Sequence, residues 1–151
     1  MRVLFVDAGN YCRSPAAEAV ARKLGVKLAP GVEFGSAGLK DTHVGDSADP
    51  RTIAACAGRG YDLGAFRCRE ITADDYFACD VIYAMDVGNL TALQARRPPA
   101  STVLIELLLG DREVPDPYYG GEDGFDSMMD LIEAGVRTRC LEFDAERRRA
   151  E

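Results

Sequence analysis

The sequence predicts a single α/β domain spanning residues 1–151, with a four-stranded parallel sheet flanked by helices and a functional loop directly after the first strand. Three observations carry this. Val3-Leu4-Phe5-Val6 is a continuous apolar run, the pattern of a strand buried on both faces. Similar runs alternate with helical segments along the chain, which lays the strands parallel with helices on both faces. The turn out of the first strand, Asp7 to Ser14, carries glycine, asparagine and arginine and leads into Pro15. In such folds ligands bind beyond the carboxyl ends of the strands, where loops enter helix N-termini.

The elements follow in order. After Val3–Val6, Ser14 is a candidate N-cap and Pro15 suits a first helical turn. The helix continues over Ala16 to Leu24, and Gly25 is expected to stop it. Val32 to Phe34 reads as the second strand, closed by Gly35-Ser36-Ala37-Gly38. Asp49-Pro50 opens a helix to about Gly60. Ile71 to Tyr76 reads as a short helix or turn, and Asp80 to Met85 as the third strand. Leu90 to Arg96 is helical and ends at Pro98-Pro99. Val103-Leu104-Ile105 is the fourth strand. Gly110 to Gly124 is a long polar loop, and Phe125 to about Arg148 a final helix with a charged, solvated end.

Composition narrows the function classes. With 47% hydrophobic and 28% charged residues the chain is of ordinary globular type. The net charge of −7 disfavours nucleic-acid binding. No apolar run is long enough for a membrane span, and the N-terminus lacks signal-peptide character, so a cytoplasmic protein is expected. The five cysteines form no C-x-x-C pair, which argues against a disulfide framework or a metal site. Cys56, Cys79 and Cys140 read as small core residues, and Cys68, between Arg67 and Arg69, as exposed.

The loop Asp7-Ala8-Gly9-Asn10-Tyr11-Cys12-Arg13-Ser14 has the makings of an anion cradle. A tight strand-to-helix turn can direct successive N–H groups inward, and the helix N-terminus adds its unpaired donors and positive dipole end. Gly9 permits positive φ and Asn10 tolerates it. Arg13 offers a planar fork for two phosphate oxygens. Far along the chain, Pro115 and Pro117 stiffen the backbone around Asp116, whose carboxyl group suits general-acid work on a leaving oxygen. Tyr118 and Tyr119 could wall a pocket against an aromatic substrate.

Together these segments resemble the low-molecular-weight protein-tyrosine phosphatases. That family carries a cysteine, five residues, then Arg-Ser near its N-terminus, and a later Asp-Pro-Tyr-Tyr segment. The match extends to Gly9-Asn10, Cys12-Arg13-Ser14-Pro15, Ser36-Ala37-Gly38, His43-Val44-Gly45, Ala48-Asp49-Pro50-Arg51, Ala84-Met85-Asp86 and Asp116-Pro117-Tyr118-Tyr119-Gly120-Gly121. The related arsenate reductases share the fold but lack the Asp-Pro-Tyr-Tyr pattern. The resemblance implies hydrolysis of phosphotyrosine in proteins or of small aryl phosphates through a phosphocysteine, without cofactor or metal. It implies that Ala8 to Ser14 hold the phosphoryl oxygens, that Arg13 binds them, and that Asp116 protonates the leaving oxygen. It also implies that Asn10, Ser14 and Ser36 keep the loop in shape, and that Thr42, Tyr118 and Tyr119 wall the substrate. Thr42 stands where many relatives have a large aromatic, and Tyr11 where they have an aliphatic residue.

One departure governs activity. The family's nucleophilic cysteine belongs at position 7, where this chain has Asp7. Cys12 matches the family's second loop cysteine and has no arginine at the spacing a nucleophile needs. A carboxylate at position 7 is expected to draw Arg13 and the loop amides to itself and to compete with phosphate for them. Three classes follow: a phosphatase framework with a replaced nucleophile and little or no turnover, a non-catalytic phosphotyrosine-binding or regulatory module, and an aspartyl-phosphate phosphatase. The third normally needs Mg²⁺ and a second acidic residue, and the residue two after Asp7 is Gly9.

Overall fold

The computed structural model describes residues 1–118 and 120–151. Its sheet is built from β1 (Arg2–Asp7), β2 (Glu33–Gly38), β3 (Val81–Ala84) and β4 (Leu104–Leu107). All neighbours pair in parallel, in the order β2-β1-β3-β4. The helices are α1 (Arg13–Leu28), α2 (Pro50–Ala57), α3 (Asp75–Ala78), α4 (Val87–Arg96) and α5 (Glu122–Ala150).

The pleat of β1 divides the core. Val3 and Phe5 point into the layer holding α1, α2 and α5, while Leu4 and Val6 point into the layer holding α3 and α4. Asp7, two residues beyond Phe5, continues the row that faces α1. The chain leaves β1 for β2 on one side and returns for β3 on the other, so the carboxyl end of β1 is the point where strand order reverses. Crevices for ligands open at such points. Among the described residues, no helix is long and apolar enough to cross a membrane.

Several boundaries differ from the sequence reading for identifiable reasons. Helix α1 runs through Gly25 to Leu28, because this glycine serves packing: a Cβ there would lie 2.6 Å from Cε2 of Phe34. Strand β2 extends through Gly35-Ser36-Ala37-Gly38, where small residues let the Gly9–Asn10 backbone press against the strand. Ser14 is not the N-cap of α1. Cys12 holds that position without a side-chain cap bond, and the acceptor for the Ser14 N–H comes from Asp7 (2.9 Å). Helix α4 starts at Val87, earlier than Leu90, because the Asp86 carboxylate accepts from Asn89 N and caps it. Cys68 is buried, not exposed: its N–H donates to Asp46 O and its carbonyl accepts from Gly45 N, folding the strap 45–47 over it. Cys79 is only partly buried.

Gly38 is hemmed in by backbone, which cannot swing aside as a side chain can. A Cβ there would sit 2.7 Å from the Gly9 carbonyl carbon and 2.8 Å from Asn10 N, both backbone atoms. Gly38→Ala should therefore destabilise the fold by about 1–3 kcal/mol or more, the usual range for overpacking. Urea unfolding measures it; a midpoint equal to the parent's would contradict this contact.

Candidate active site

The anion loop is a closed hydrogen-bonded unit. Asp7, 3% exposed, accepts from Asn10 N through Oδ1 (2.5 Å) and from Ser14 N through Oδ2 (2.9 Å). Asn10 alone among the described non-glycine residues takes a positive φ, +56°. Gly9 does not. Its value lies in space, since a Cβ would approach Cδ2 of His43 to 3.3 Å. The Asn10 side chain donates to Ser14 Oγ (2.9 Å) and Ser36 Oγ (3.0 Å) and accepts from Arg69 N (2.8 Å). Ser36 in turn donates to Glu18 Oε1. These bonds satisfy a buried amide and fix a backbone conformation that few residues adopt. Among the described residues the N–H groups of Gly9, Tyr11, Cys12 and Arg13 meet no protein acceptor.

Asp7, Ala8, Gly9, Tyr11, Cys12, Arg13, Thr42, Asp116 and Tyr118 line one cavity of about 300 Å³, joined by Lys40 and His43. Tyr119 lies outside the described residues. The ring of Tyr11 stacks on His43 with centroids 3.8 Å apart and planes 4° apart. Tyr118 is tilted against Tyr11 at 6.1 Å. Its N–H donates to Asp116 Oδ1 (3.0 Å).

Arg13 does not turn toward Asp7. Its guanidinium is buried, and Nη1 donates to Asp86 Oδ2 and to the carbonyl of Val114, both at 2.8 Å. Nη2 lies 3.8 Å from Asp116 Oδ2. The expected ion pair between Arg13 and Asp7 is thus replaced by two hydrogen bonds and a longer ion pair, because α1 starts at Arg13 and carries its side chain toward the loop after β4. Val114 is fully buried and its N–H donates to Met85 O, which pins that loop to the end of β3. Sequence reading named Asp86 only within a motif and missed Val114 O.

Electrostatics divides the two acidic or thiol groups of the loop. Burial pushes the Asp7 carboxyl above the ordinary aspartate value, against the lowering pull of the Ser14 amide, Arg13 and the Asn10 amide. Burial also pushes the Cys12 thiol up to about 12, helped by the charges of Asp49 and Asp7. A thiol held protonated in this way is a poor nucleophile. Its Sγ lies 3.7 Å from Asp49 Oδ2, as donor.

A parallel sheet with an amide-lined loop at its switch point, an arginine and a carboxylate on one cavity has the chemistry to take an anionic ester. The family described as low molecular weight phosphotyrosine protein phosphatase matches residues 2–149. A low molecular weight protein-tyrosine-phosphatase of Streptomyces coelicolor is 42% identical over 144 residues, covering 88% of this chain and 87% of the relative. The fold matches the protein tyrosine phosphatase of Entamoeba histolytica, solved with Hepes in its active site, at a TM-score of 0.91 and 34% identity, over 97% of this chain and 99% of that one. It also matches Wzb of Vibrio vulnificus in complex with benzylphosphonate, at 0.83 and 27%, over 93% and 97%. The chain belongs to the low-molecular-weight phosphotyrosine protein phosphatase family, a family of phosphoric monoester hydrolases.

The Asp7 shift has a consequence for stability. Unfolded, this carboxyl ionises at about pH 4. Folded, it keeps its proton to higher pH, so its contribution is complete below the unfolded value and is lost as pH rises toward the folded one. Asp7→Asn removes the charge but sets an amide NH2, which cannot accept, against one of the two N–H donors. The variant should therefore be less stable than the parent near about pH 3, and the gap should narrow as pH rises and then level off. Urea midpoints across that range test this, and a difference that stays flat with pH would refute it.

Proposed function

We propose that this chain is a low-molecular-weight protein-tyrosine phosphatase framework that recognises phosphotyrosine or a small aryl phosphate but turns it over very slowly. The observation that carries this reading is the pair of bonds from Asn10 N and Ser14 N to the Asp7 carboxylate. They put a carboxylate in the seat a thiolate would need and leave other amides of the loop unclaimed.

In this reading the N–H groups of Gly9, Tyr11, Cys12 and Arg13, with the free edge of the Arg13 guanidinium, receive the phosphoryl oxygens. Asp86 and Val114 O hold Arg13 in orientation. Asp116 stands ready to protonate the leaving oxygen. Thr42, Tyr11 and Tyr118 border the aryl group. Asp7 supplies no comparable nucleophile: both its oxygens are engaged, and its charge opposes an incoming dianion. Hydrolysis through an aspartyl phosphate has little support. Asp86 and Asp116 are turned to Arg13, and among the described residues no three His, Cys, Asp or Glu side chains gather to hold a cation.

Asp7→Cys should then create the missing nucleophile. The amides of Asn10 and Ser14 and the N-terminus of α1 would favour its thiolate. On p-nitrophenyl phosphate the variant should exceed the parent by at least about 10³-fold in kcat, since nucleophile loss in enzymes acting through covalent intermediates typically costs that much or more. Mg²⁺ should leave the parent unchanged. A folded but inactive Asp7→Cys would refute the reading, and Mg²⁺-dependent turnover by the parent would favour the aspartyl-phosphate class.

A further inference from the structure

Arg51 sits in the first turn of α2, outside the cavity, yet it touches three elements that surround it. On one side its guanidinium grips the buried Asp49: Nε donates to Oδ1 at 3.1 Å and Nη2 to Oδ2 at 2.8 Å. On the other side its Cζ lies 4.7 Å from the ring centroid of Phe125, at the start of α5, and 5.4 Å from that of Tyr118. Both distances suit a cation over an aromatic face.

The contacts continue in each direction. Asp49 N donates to Tyr11 O at 3.0 Å, and its carboxylate accepts from the Cys12 thiol. Tyr118 N donates to Asp116 Oδ1. An unbroken series therefore runs from the anion loop through Asp49 and Arg51 to Tyr118 and Asp116. Val114 is fixed to Met85 and Arg13, Pro117 is buried, and Asp116 itself is half exposed.

We propose that Arg51 is a positioning residue that docks the Asp116–Tyr118 segment over the anion loop, and so sets the reach of Asp116 to the leaving oxygen. This rests on the proposed role of Asp116. A planar, delocalised guanidinium is required because it must pair bidentately with Asp49 and stack on two rings at once. A lysine can satisfy the charge of Asp49 but not that geometry.

Arg51→Lys therefore separates docking from simple charge compensation. In the chain as it stands, hydrogen exchange at the amides of Tyr118 and Gly120 should quicken by about tenfold in Arg51→Lys, while those of Asn10 and Ser14 hold. Unchanged exchange at Tyr118 and Gly120 overturns the proposal, whatever the assays give. In an Asp7→Cys background, Arg51→Lys should lower kcat/KM on phenyl phosphate by about tenfold or more, and on 2,4-dinitrophenyl phosphate by no more than about twofold, because only the poorer leaving group needs the proton. Equal losses on both esters, or none, also overturn it. Should Asp7→Cys prove inactive while exchange responds as expected, the docking role stands and the phosphatase reading falls.

Discussion

The Asp7 carboxylate, buried at the end of the central strand and bound by two amides of the loop that follows, is the constraint around which this site is organised. It ends β1, fixes the turn at Asn10 and supplies the acceptor that the first turn of α1 lacks from its own N-cap. Helix N-termini carry unpaired donors and a positive dipole end, and an anion there is stabilised by both. Burial opposes it: removing a carboxylate from water is expensive, and here that outweighs the amides and Arg13, so the proton is held more tightly than in solution. The loop's geometry and the charge at its centre pull in opposite directions.

That balance explains the arrangement of the other charges. Arg13 could have neutralised Asp7 directly, but its forked head is turned outward to Asp86, Val114 O and Asp116. The arginine thereby ties the loop after β4 to the start of α1. Asp49 repeats the pattern on the opposite wall. Burial alone would raise its carboxyl, yet the bonds from Arg51 and the Arg51 amide hold it below the ordinary value. Asp49 thus has a charged partner within its own helix turn, whereas Asp7 is held by backbone amides, which fits the opposite directions of their shifts.

The sheet and the loop were legible because their signals are local. A continuous apolar run followed by Asp-Ala-Gly-Asn can hardly be anything but a buried strand entering a tight turn. What escaped was carried by contacts distant in sequence. Gly25 looks the same whether it ends a helix or admits the Phe34 ring, and only the second is true. Gly35 to Gly38 looks like a turn until the Gly9–Asn10 backbone is laid against it. Asp86 was named only within the Ala84-Met85-Asp86 motif, and its bond to Arg13 spans 73 positions and leaves no local trace. The motif containing His43 was visible, but its stacking on Tyr11, which builds one wall beside Thr42, was not.

Charge does not by itself separate an aspartate from a cysteine at position 7, since either, once ionised, puts one negative charge in the same seat. The difference lies in how the charge is held. A thiolate concentrates it on one large, polarisable atom that can accept amide bonds and still face phosphorus. Asp7 divides it between two small oxygens, each occupied by a different amide. Each oxygen keeps a lone pair beyond its amide bond, but it is harder and less polarisable than a thiolate sulfur, and Arg13 is already bonded to Asp86 and Val114 O and paired at 3.8 Å with Asp116. In the proposed reading, the bonds that make Asp7 an adequate structural anion also hinder it as a nucleophile. In the same reading, phosphate recognition, which would draw on amides that Asp7 leaves unclaimed, is separable from bond cleavage.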